Sequence, residues 1–149
     1  MNDEQIALSR RAVACKGWRW MPGMRTMGNM RVSHDPDRWP DRPCALREGG
    51  WIDTAPPRPL GDDLPDLTDP ATLGCLLALV RAAWRCPTVY VRQSTTRRVS
   101  DGVIAWEVCD LYLDAEACRS LGVPREGSVG SWGHASEAEA LVSALERAP

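Results

Sequence analysis

The sequence predicts an α+β fold: a small antiparallel sheet with three to four helices packed on one face, plus a long proline-rich surface loop. Three observations carry this prediction. PATLGCLLALVRAAW and SEAEALVSALERA place apolar residues at helical spacing behind clear helix-start signals. TVYVRQ and GVIAWEV are alternating or β-branched runs separated by a polar turn. Eight of the twelve prolines fall between His34 and Pro70, where they remove backbone donors and block both helices and central strands.

The first element is a short amphipathic helix from Asp3 to Cys15. It has an acidic first turn, apolar Ile6, Leu8, Ala12, Val13 and Cys15, and outward Arg10 and Arg11, and Gly17 ends it. Beyond it Trp18 and Trp20 point to one side of an extended chain with Arg19 on the other, and Pro22-Gly23 turns the chain. Gly28-Asn29 reads as a two-residue hairpin turn between Arg25-Thr26-Met27 and Met30-Arg31-Val32. Residues 34–69 form the proline-rich excursion, with Trp39, Trp51 and Ile52 as its pins.

The central helix follows. Asp69 caps it, Pro70 takes its first position, and Leu73, Leu76, Leu77, Val80 and Trp84 recur along one face until Cys86-Pro87. An antiparallel pair comes next, turned at Ser100-Asp101-Gly102 and extended or followed by Leu111-Tyr112-Leu113, then a short helix from Asp114 to Leu121. The last helix opens on Ser136 with Glu139 three residues later, a capping box, and buries Leu141, Val142 and Leu145.

At 149 residues the chain is read as a single domain, residues 1–149, burying about two-thirds of the surface its unfolded form exposes. A net charge of -2 shows no basic field overall, so direct DNA binding is not expected. No apolar run approaches the roughly eighteen residues of a membrane span, and the polar start MNDEQ has no secretory pattern. A cytoplasmic location with no membrane partner is therefore the expectation. The six cysteines are Cys15, Cys44, Cys75, Cys86, Cys109 and Cys118, with no Cys-x-x-Cys pair, so reduced, buried thiols are expected rather than a disulfide scaffold or zinc site.

CKGWRWMPGMRTMGNMRV, residues 15–32, supplies the candidate contact surface. Methionines every third residue match neither helix nor strand, which argues for turns pairing Met21 with Met24 and Met27 with Met30. Trp18, Arg19, Trp20, Met24 and Arg25 then offer adaptable apolar area beside a cation, suited to a partner groove or a flat anionic ligand. The opposing reading makes the same residues core filler in a chain without phenylalanine.

A second candidate is an anion-binding loop of Gly127, Gly130 and Gly133 leading to Ser136. Helix-start amides attract phosphate, but the loop has neither a Gly-Lys-Ser/Thr ending nor a preceding parallel strand. Enzyme readings find less. Cys44 with His34, or a cysteine with His134, has no third orienting group, and no catalytic residue is assigned. Asp62, Asp63, Asp66 and Asp69 do not have the spacing of a calcium loop. No metal site or cofactor is expected. Arg97-Arg98, with Arg92 nearby, reads as a solvated turn.

RRAVACKGWRWMPGM, LPDLTDPATLGCLLALVRAAW and EAEALVSALERAP together resemble small phage and prophage proteins of unassigned function. The resemblance covers about a third of the chain. It implies an infection setting in a bacterial host cytoplasm and carries over no catalytic residue. By analogy of class, it implies an anti-defence protein of the anti-CRISPR kind. The expected partner is a host defence protein or a small anionic nucleotide, the protein acting as a homo-oligomer. The alternatives are a Cys/His-dependent hydrolase or transferase, and a virion structural protein.

Overall fold

The computed structural model describes residues 2–33, 44–47, 63–98, 104–110 and 131–149. In chain order these form α1 (Asp3–Ala14), β1 (Met30–Ser33), β2 (Cys44–Arg47), α2 (Pro70–Ala83), β3 (Val89–Arg98), β4 (Ile104–Asp110), β5 (Ser131–His134) and α3 (Glu137–Glu146). The fold is α+β: three helices, a three-stranded antiparallel sheet of order β3-β4-β5, and a separate β1-β2 pair, among the described residues. The expected strand at 111–113, the helix at 114–121 and the pins Trp39, Trp51 and Ile52 lie outside the described residues. Two compact units make up the chain, residues 1–14 with 18–75, and residues 15–17 with 76–149.

In the first unit, α1 opens on a reciprocal cap that the acidic first turn does not reveal. Asn2 Oδ1 accepts from the Gln5 amide at 2.9 Å, and Gln5 Oε1 accepts from the Asn2 amide at 3.1 Å, so two of the free donors at the helix start are satisfied. Ser9 and Ala12 form the buried centre of α1. The Ser9 hydroxyl donates to the Pro65 carbonyl at 2.9 Å, joining the helix to a segment 56 residues away.

The expected hairpin is present, but its turn is longer than two residues. The Asn29 amide donates to Thr26 O at 3.0 Å and the Thr26 amide to Met30 O at 2.7 Å, which defines a three-residue loop of the type I plus bulge class. Asn29, not Gly28, takes the left-handed conformation (φ 61), a role that asparagine fills at low cost because its short side chain bonds locally. Here that side chain accepts from Arg25 Nη2.

Strand β1 pairs with β2 in antiparallel register from Met30↔Arg47 to Ser33↔Cys44. A strand therefore lies inside the proline-rich excursion. On the other arm of the hairpin, the Met27 amide reaches Leu64 O and the Asp66 amide reaches Arg25 O, both at 2.8 Å.

Helix α2 begins as its sequence dictates. Asp69 Oδ2 accepts from the Thr72 amide at 2.8 Å and from the Thr72 hydroxyl at 2.9 Å, and Thr72 Oγ1 in turn accepts from the Arg25 amide at 2.8 Å. At the other end Arg85 is left-handed (φ 51), while the Cys86 amide bonds Arg81 O at 3.0 Å and the Arg85 amide bonds Ala82 O at 3.2 Å. That is a Schellman closure with arginine where glycine is usual.

In the second unit, α3 packs on the β3-β4-β5 sheet. Leu141, Val142 and Leu145 are buried with Val89 and Val108, each such side chain contributing about 1.5–3 kcal/mol. The Trp84 indole donates to Ala144 O at 2.8 Å, and Arg81 Nε donates to Val89 O at 2.7 Å, tying the end of α2 to both neighbours.

Candidate functional site

The tryptophan segment lies between α1 and the hairpin of the first unit. Trp18 and Trp20 meet edge to face, ring centroids 5.6 Å apart and planes at 77°, the arrangement that ring quadrupoles favour. Both are half-buried, whereas Arg19 between them is exposed and has neither hydrogen bond nor ion pair among the described residues. The buried Nε1 of Trp18 has no acceptor among the described residues, and an unmade bond of this kind costs roughly 1–3 kcal/mol.

Met24 is a correction. Its side chain is fully buried, so it supplies core volume and not contact area. The turn that does this was legible: the Met24 amide bonds Met21 O at 3.1 Å, closing Pro22-Gly23 as expected and swinging Met24 inward. Arg25 is half-buried, with its backbone held by Thr72 and its guanidinium by Asn29, so it organises the hairpin. The surface that stays accessible is Trp18, Arg19 and Trp20.

The anion loop also changes character. Gly127 and Gly130 lie outside the described residues, while Gly133 (φ 80) belongs to β5 and not to a loose loop. Ser136 caps α3 through Oγ, which accepts from the Glu139 amide at 3.1 Å, and Glu139 Oε2 accepts from the Ala135 amide at 3.0 Å. A carboxylate already sits where an anion would bind. It disfavours one by charge.

The cysteine readings find no support among the described residues. Cys75 has its thiol pushed up by burial and then by Asp69, and Cys109 by burial first, Arg92 pulling the other way; both are held as the weakly nucleophilic thiol. His34 lies outside the described residues, as does the side chain of Cys44. His134 Nδ1 lies 3.8 Å from Glu139 Oε1, an acid neighbour and not a nucleophile. Asp66 accepts from the Thr68 amide and hydroxyl at 3.0 and 2.6 Å, and Asp69 caps α2, so two of the four acids have local structural work. No group of three or more metal-ligating side chains occurs among the described residues.

One cluster escaped the sequence reading. Arg92 and Glu107 sit directly opposite on β3 and β4, as do Tyr90 and Cys109. Arg92 Nε and Nη2 both reach Glu107 Oε2 at 3.3 Å, and the guanidinium lies 5.9 Å from the Tyr90 ring centre. Glu107 is 4% exposed against 50% for Arg92, so a buried carboxylate is covered by a half-exposed cation. A hydrogen bond from Ser94, and after it Arg92, holds the carboxyl below the usual range against the opposing effect of burial. The signal available was an acid, Glu107, set between Trp106 and Val108 in a strand whose other residues from Ile104 to Cys109 are apolar.

No family model, curated protein or solved structure matches this chain. The functional reading therefore stands on the residues themselves.

Proposed function

We propose that this is a non-enzymatic, phage-encoded accessory protein of the bacterial cytoplasm, which counters a host defence system by binding, through the Trp18-Arg19-Trp20 face, a host protein or a nucleotide signal. The observation that carries the reading is the half-buried indole pair at 5.6 Å flanking an exposed arginine that has no partner among the described residues. Aromatic and arginine side chains together are the residue types that dominate binding energy where surfaces meet.

Native mass spectrometry of the protein recovered from its host tests this. The wild type is expected to carry a bound protein or nucleotide, and to show whether the complex is built on a homo-oligomer. Arg19→Glu, an exposed change that leaves the fold intact, is expected to lose the bound species, and Trp20→Ala to weaken it at least tenfold, about 1.4 kcal/mol. Retention of the same mass by Arg19→Glu rules the face out.

A further inference from the structure

We propose that the Trp18-Arg19-Trp20 face takes single-stranded nucleic acid. This rests on the reading of that face as the binding surface and goes beyond it, replacing the single nucleotide with a strand of nucleotides as the ligand. The overall charge of -2 conceals a segregation in sequence: residues 5–14 and 18–34 of the first unit carry five basic residues, Arg10, Arg11, Arg19, Arg25 and Arg31, and none of the chain's twenty acids. Arg10 on α1 and Arg19 both belong to the first unit. Both are exposed and neither has a hydrogen-bond or ion-pair partner among the described residues, so their guanidinium donors are available to phosphate.

Charge alone suits an acidic protein surface as well. The indoles separate the two partners. A base stacks on an accessible indole whatever its identity, which strengthens binding roughly five- to hundredfold per base, whereas a carboxylate gains nothing from an aromatic face. The two indoles meet each other and Arg19 between them is exposed, so stacking surface and phosphate-binding group lie within three residues of the chain. Two exposed cations, Arg10 on α1 and Arg19, suit successive phosphates of a strand better than the single phosphate of a free mononucleotide.

The test is fluorescence anisotropy of a labelled oligothymidylate of roughly twenty nucleotides with the full-length protein, between about 50 and 200 mM salt. The wild type is expected to bind with affinity falling steeply as salt rises. Arg19→Glu should weaken binding at least tenfold and flatten the log-log salt slope by about 0.7 for each phosphate that is no longer neutralised; Trp20→Ala should cost at least fivefold. Arg85→Gly, which removes an exposed arginine of the second unit, should stay within about twofold of wild type.

Polyglutamate and thymidine monophosphate form the other arms. No binding of the oligonucleotide at the lowest salt, equal or tighter binding of polyglutamate, equal binding of the mononucleotide, or an unaffected Arg19→Glu variant each overturns the proposal. Iodide quenching separates this failure from that of the underlying reading. If wild-type fluorescence is quenched more than that of a Trp18→Phe/Trp20→Phe variant, the face is accessible and only the ligand class is wrong. If the two are quenched alike, the face is closed and both readings fall.

Discussion

Gly23 and Gly28, five residues apart, have opposite conformational needs. Gly23 has φ 96 and open space around the position of a Cβ, so a side chain there meets no atom and is opposed only by the backbone. Gly23→Ala is expected to cost about 1–2 kcal/mol. Gly28 is not left-handed, and its Cβ would make an ordinary contact of 3.5 Å with Thr26 Oγ1; Gly28→Ala is expected to fall within about 0.5 kcal/mol of wild type. Urea midpoints of the two variants check both. The two costs would be alike if Gly28 were left-handed, as its Gly-Asn sequence suggests. At this scale the sequence was misleading for a physical reason: asparagine and glycine both tolerate positive φ, and hydrogen-bond pairing with Met30 decides which of them uses it.

At the scale of elements, helix ends were the most legible parts of the chain, because a cap is a local bond between residues three apart. Asp69 and Ser136 cap where expected, and α2 stops before Pro87. Asp69→Ala removes a cap and also loosens Thr72, whose hydroxyl holds the hairpin, so a loss of about 1–2 kcal/mol is expected. Arg85 in its left-handed closure predicts the reverse: Arg85→Gly should raise stability by about 1 kcal/mol, read as a higher thermal midpoint. The strands β2 and β5 were not legible. Each is four residues long, one amid prolines and one amid glycines, and both are made strands by distant partners. The candidate face was legible in Trp18, Arg19 and Trp20 but not in Met24, whose direction is fixed by a turn and by core packing.

For the whole molecule, acid stability has an identifiable contributor. The Glu107 carboxyl is depressed on folding, so the stability it contributes is fully present above the unfolded value of about 4.3 and lost as pH falls through the lower folded value. Wild type is therefore expected to lose stability below about pH 4 more steeply than Glu107→Gln. Guanidinium midpoints compared at neutral and acid pH check this; a constant gap between the two proteins means that Glu107 is not the titrating group. The α+β class itself was readable in advance, since alternating strands and capped amphipathic helices need no knowledge of contacts. The bond from the Arg25 amide to Thr72 has a consequence in time. The two residues are separated by 47 positions, which a ribosome needs on the order of seconds to translate. The amino-terminal hairpin thus emerges well before the hydroxyl that anchors it, and any chaperone that attends this chain during synthesis meets it without that bond.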